Sequence, residues 1–108
     1  MKRVMVISDT HCGHVVGLTP PPWQVSGTGE YYHDKFARVR RQMWEWFNGV
    51  VEKYRPIDRL IVNGDAIDGR GERSGGTELL TTDRLEQNDM FCHIVRHIDP
   101  KETAMPLS

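Results

Sequence analysis

Two short apolar runs with one long helical stretch between them leave this chain few ways to fold. Val4-Met5-Val6-Ile7 and Leu60-Ile61-Val62 are each bounded by polar residues and built mostly from types that suit strands. Between them Phe36, Val39, Met43, Phe47, Val50 and Tyr54 recur on one stripe at helical period. Trp44 and Trp46 flank that stripe, as core and rim packing, and charged residues cover the other faces. Asp34 reads as the helix N-cap, and Pro56 ends the helix near Arg55. A strand, a helix and a second strand in this order make a right-handed crossover with parallel strands. The unbroken apolar run of the first strand implies a sheet covered on both faces.

The rest of the chain follows the same α/β plan. Its 108 residues fit a single domain, 1–108, and no repeat or linker divides it. Residues 9–33 read as a long loop in which Thr19-Pro20-Pro21-Pro22-Trp23 excludes helix and ladder, so the segment is functional or disordered. Residues 69–76 form a glycine-rich loop. Asp83 and Glu86 have capping-box spacing, ahead of a second helical stripe of Leu85, Phe91, Ile94, Val95 and Ile98 that Asp99-Pro100 ends. The plan is strand, helix, strand, helix, and Glu102 to Met105 can begin a third strand.

Composition narrows the function. The 15 acidic and 14 basic residues nearly cancel, against a protein built mainly to grip a nucleic acid backbone. The two cysteines, Cys12 and Cys92, make no disulfide framework or metal-ligand spacing, which suggests a reducing, cytoplasmic setting. The apolar run after Lys2-Arg3 is too short for a signal core, and no stretch nears the ~20 apolar residues of a membrane span.

Asp9 follows the first strand and Asp65 the second. Parallel neighbours about 4.8 Å apart end on one edge, where open α/β sheets bind ligands. Asp9, His11 and Asp65 are therefore expected to converge, with Asp68 one short turn further on. Two close carboxylates repel unless one is protonated or a cation lies between them. Oxygen ligands with one imidazole suit Mn²⁺, Fe²⁺ or Zn²⁺. In an extended Asp-x-His segment both side chains point the same way, and Gly64 permits a tight turn. Either motif alone reads as a loop cap or a surface histidine. Both together, at the ends of consecutive strands, point to a metal.

Ser8-Asp9-Thr10-His11 and Asn63-Gly64-Asp65-Ala66-Ile67-Asp68-Gly69 resemble the first two signatures of the calcineurin-like metallophosphoesterases, Asp-x-His and Gly-Asp-x-x-Asp, in a wording closest to phage-type members. The resemblance spans residues 3 to 98. It implies a hydrolase of phosphomono- or phosphodiesters that uses two divalent metals, Mn²⁺ foremost and otherwise Fe²⁺, Zn²⁺ or Mg²⁺, about 3.5–4 Å apart. Asp9 and His11 would ligate one metal, Asp65 would bridge to the second, and Asp68 would orient a catalytic histidine from behind. The substrate would be a nucleic acid, nucleotide, phosphoprotein or lipid phosphoester. The family's third motif, Gly-Asn-His-Asp/Glu, and its later Gly-His and Gly-His-x-His motifs do not occur after Asp68. The resemblance thus implies the N-terminal half of an α/β/β/α sandwich with ligands for about one metal. Such a piece would be a truncated or frameshifted copy, or one completed by another chain, a second copy included.

Other signals carry less. His93 and His97 are one helical turn apart, but Ile94 stands where the zinc-protease helix needs glutamate, so they read as solvated. Gly69 to Gly76 lacks the Gly-Lys-Ser/Thr ending of a phosphate loop, although Arg70 and Arg73 can contact a substrate phosphate. His14 and His33 can face the same site across the long loop but read as solvated loop histidines, Thr19–Trp23 as a stiffened loop rather than a polyproline ligand, and Cys12 as no nucleophile. The rival readings are a non-catalytic fragment that binds one metal or pairs through an open sheet edge, and a flavodoxin- or response-regulator-like Mg²⁺ domain. His11 and the missing strands count against the latter.

Overall fold

The computed structural model describes residues 2–67, 79–81 and 83–105. Asp68, Arg70 and the glycine-rich loop lie outside the described residues. The fold is mixed α/β. A parallel sheet of three strands, β1 (Val4–Ile7), β2 (Arg59–Val62) and β3 (Glu102–Ala104), is ordered β1-β2-β3. Helices α1 (Tyr31–Lys35) and α2 (Ala37–Tyr54) join the first two strands, and α3 (Arg84–Ile98) joins the last two. Met5 pairs with Leu60 and Ile7 with Val62, so these four share one face. Thr103 continues that row beside Leu60. β3 is not apolar; it forms by backbone pairing with β2, with Lys101 N–H bonding to the Ile57 carbonyl at its entry.

Two successive right-handed crossovers put α2 and α3 on the same side of the sheet. Phe47 and Val51 from α2, Leu60 and Val62 from β2, and Met90, Phe91, Ile94 and Ile98 from α3 form one core. The expectation of two covered faces fails. Val4 and Val6 are 56% and 60% exposed, and β1 alternates outward and inward residues. A continuous apolar run looked like a doubly buried strand, but here only alternate residues meet helices.

The buried stripe of α2 is rotated from the expected one. Ala37, Arg40, Phe47 and Val51 are buried, whereas Val39, Met43 and Tyr54 are exposed. Arg40 explains the rotation. Its guanidinium is fully buried and donates to the carbonyls of Val15, Val25 and His33 at 2.6–2.9 Å. Charged donors to several carbonyls are strong bonds, and they turn this face of the helix toward the long loop. Asp34 does not cap α2. It ends up inside α1 and accepts from the N–H groups of Thr28 and Gly29 and from the Thr28 hydroxyl. The helix stops as expected, at Tyr54, before a cis Arg55–Pro56 bond.

The segment 9–33 is neither loose nor purely irregular. Val15, Leu18 and Thr19 are buried, and Pro21–Trp23 makes a turn of 3-10 helix with prolines where no N–H is needed. Burial of Thr19 and Pro20 removes the polyproline-ligand reading. Trp23 donates to Glu86 Oε1 at 3.1 Å, and Thr81 donates to Oε2 at 3.0 Å. The capping box of α3 is therefore half made. Asp83 accepts from Leu85 N–H, while Glu86 turns away to the tryptophan. Leu85 is 75% exposed, and Gln87 and Met90 are buried in its stead. Asp99, with a left-handed backbone, ends α3.

His93 and His97 are not solvated. Both are half-buried in a cluster with Trp23, Trp44 and Phe47. His97 Nε2 pairs with Asn48 Oδ1 at 2.7 Å, and the Arg55 guanidinium donates to its carbonyl. Trp44 packs there, whereas Trp46 stands 71% exposed. No helix among the described residues is long and apolar enough to cross a membrane.

Burial, then the nearby Arg55 and His93, holds the His97 imidazole below its ordinary value. The unfolded chain therefore takes up this proton first, near pH 6.5. Stability from His97 is complete above that pH and is lost as pH falls through it toward the lower folded value. The urea midpoint should drop between pH 7.5 and 5.5 more steeply in the wild type than in His97→Gln. Equal slopes would dismiss this assignment.

Candidate metal centre

The pairing of β1 with β2 continues beyond both strands and carries the site. Asn63 N–H bonds to the Ile7 carbonyl at 2.8 Å, and Asp9 N–H to the Gly64 carbonyl at 3.1 Å. His11 N–H then meets the Asp65 carbonyl and Cys12 N–H the Ala66 carbonyl, both at 2.9 Å. The Thr10 hydroxyl adds a bond to the Ala66 carbonyl at 2.9 Å. The two sequence motifs thus run side by side at the carboxyl edge of the sheet.

Asp9, His11 and Asp65 meet there. One ligand atom from each lies within 4.8 Å of the other two. His11 Nε2 is 3.8 Å from Asp9 Oδ1, too long for a hydrogen bond. With bonds of about 2.1 Å, ligand atoms stand ~3 Å apart when adjacent and ~4.2 Å apart when opposite across an ion. The donor set of two carboxylates with one imidazole suits a divalent ion, and atoms 3.8 Å and up to 4.8 Å apart would draw in slightly to ligate one. Asp9 and Asp65 are exposed and His11 half-buried, so an ion can enter from solvent. Ser8 donates to Asp9 Oδ2 at 3.0 Å, leaving Asp9 Oδ1 toward His11.

The backbone at the site differs from expectation. Asp9, His11 and Asp65 all have positive φ, at 55°, 44° and 48°. The only other non-glycine residue with positive φ among the described residues is Asp99. The Asp-x-His segment is therefore not extended. It turns at Asp9 and His11, whose side chains come within 3.8 Å, and His14 N–H closes the next turn on the His11 carbonyl at 3.0 Å. Left-handed conformations are uncommon outside glycine and gather at functional sites. Gly64 also has positive φ, 96°, but an added Cβ would meet nothing there. Its requirement is conformational rather than a need for room.

Gly17 supports the curl. A Cβ at Gly17 would lie 2.2 Å from the His11 carbonyl oxygen, and Leu18 N–H bonds to the Thr10 carbonyl. Nothing in the spacing of the sequence flags Gly17. His14 is half-buried rather than solvated, and it lines one cavity with Asp9 and His11 across the loop. His33 is engaged elsewhere, with Nε2 donating to the Leu79 carbonyl at 2.7 Å. Cys12 is fully buried, and burial pushes its thiol up to about 11. It is no nucleophile at neutral pH.

Gly17→Ala should destabilise the fold by about 2 kcal/mol or more in urea titrations and weaken Mn²⁺ binding together with it. Retention of both would break the link between this packing and the site. Iodoacetamide at pH 8 should label Cys92, which is exposed, and leave Cys12 unmodified in the folded protein. Peptide mass spectrometry reads this directly, and fast labelling of Cys12 would contradict its burial. No family model matches the chain, and neither a curated protein nor a solved structure matches it.

Proposed function

We propose that the chain is a metallophosphoesterase-type domain of the calcineurin-like kind, in which Asp9, His11 and Asp65 hold a divalent metal. The observation that carries this reading is the meeting of three ligand-bearing residues, all with left-handed backbone, just past the ends of two adjacent parallel strands. Convergence without an ion would leave two carboxylates facing each other at a strained backbone. Asp9, His11 and Asp65 would hold the ion, whose chemistry there would be Lewis acidity toward a phosphoryl oxygen and toward water. The chain's own groups orient the ligands. Ser8 holds one oxygen of Asp9, and the backbone bonds of His11 and Cys12 keep the two motifs in register.

The reaction class is phosphoester hydrolysis, with Mn²⁺ the first metal to test. A complete family site holds two ions, and Asp68, outside the described residues, would steady a catalytic histidine. The bare face of the sheet, with Val4 and Val6 exposed, supports reading it as one half of an α/β/β/α sandwich, because parallel sheets rarely leave a face uncovered. A second reading rests on the ligand count. Among the described residues one group of three ligands forms, which suits a single-metal binding module without catalysis.

Calorimetry with Mn²⁺ tests the ligand assignment. Asp65→Asn should weaken binding at least about tenfold while leaving the fold intact, since asparagine also tolerates positive φ. Unchanged affinity would remove Asp65 from the ligand set. Stoichiometry, together with turnover of bis(p-nitrophenyl) phosphate, separates the two readings. Two ions with turnover favour the hydrolase; one ion without turnover favours the binding module.

A further inference from the structure

An apolar groove opens beside the metal centre and plays no part in the reading above. Its volume is about 660 Å³, and its wall includes Asp9 and His11 together with Met5, Ile7, Met43, Trp46 and Val50. Met43, Trp46 and Val50 are spaced three and four apart, so they share one face of α2. α2 runs back along β1, and the Arg3 guanidinium donates to the carbonyls of Tyr54 and Arg55 at the far end. Met43 therefore lies nearer the centre than Val50. The side chains in the wall that can hydrogen-bond gather near the centre, at Ser8 to His11 and His14, apart from the Trp46 indole N–H on the helix side. Among the described residues, no lysine or arginine belongs to the wall.

We propose that this groove binds the organic part of the substrate, so that the substrate is a phosphoester of an apolar aryl or alkyl alcohol. Its phosphoryl group would lie toward Asp9, His11 and Asp65, and the inference rests on those residues forming a metal centre. The volume is that of a small-molecule site rather than a protein interface. A nucleoside would bring a sugar and base whose polar groups find few partners there, and burying them unpaired is costly. A nucleic acid strand would bring flanking phosphates to a wall whose described residues include no lysine or arginine. A large indole held mostly in water also gains by covering an apolar ligand.

The test is calorimetry on the whole chain in saturating Mn²⁺, with phenylphosphonate and methylphosphonate as ligands. They share a head group and resist hydrolysis. Phenylphosphonate should bind at least about tenfold more tightly. Trp46→Ala should erase most of that preference and leave the affinities for Mn²⁺ and methylphosphonate unchanged. Should that variant misfold, Met43→Gln serves the same purpose. Equal affinities, binding of neither phosphonate, or a preference that survives both substitutions overturns the groove while the metal centre stands. Failure of the wild type to bind Mn²⁺ overturns the metal centre, and the groove inference falls with it.

Discussion

The short run of backbone bonds that continues the β1–β2 pairing past both strands is what the rest of the molecule hangs on. Strand pairing alone would bring Asp9 and Asp65 to the same edge, but only approximately. The added bonds from Asp9, His11 and Cys12 fix the two motifs to each other residue by residue. They also set where the chain goes next. Because His11 is pinned to Asp65, the segment after it must curl inward. Cys12, Val15 and Leu18 then bury themselves beneath the site. The candidate metal centre and part of the core are thus consequences of one backbone register.

Arg40 performs the matching task on the other side of the long segment. A buried guanidinium needs donors paired, and its two terminal nitrogens find the carbonyls of Val15, Val25 and His33, while Nε has no partner among the described residues. One side chain therefore gathers three distant points of a segment that has little regular structure. The result is a loop built as part of the core, which explains how its prolines and glycines coexist with burial. It also turns Met43 and Val50 away from the core and toward the groove.

Much of this was legible in the sequence, and the failures have physical causes. The parallel strands, the long helix, its stop at Pro56 and the meeting of Asp9, His11 and Asp65 all follow from period and order. The helix face was misjudged because hydrophobicity ranks Val39 and Met43 above Arg40, and no periodicity reveals that an arginine will find three carbonyls. Asp34 looked like a cap because capping is the local use of aspartate; a loop six residues upstream took its oxygens instead. His93 and His97 looked solvated because Trp23, Trp44 and Phe47, which cover them, come from other segments. The curl at His11 left no mark beyond glycines at positions 13 and 17, whose reason is visible only once their neighbours are known.

The left-handed backbone at Asp9 and Asp65 has a consequence for which sequences can carry this site. Coordination chemistry alone would accept glutamate in place of aspartate, since either supplies a carboxylate oxygen. The backbone is more selective: beyond glycine, aspartate and asparagine are the residues that enter this region most readily. At these positions the permitted alphabet is set by conformation first and by affinity for an ion second. Aspartate is the member of that small alphabet that also brings a charge.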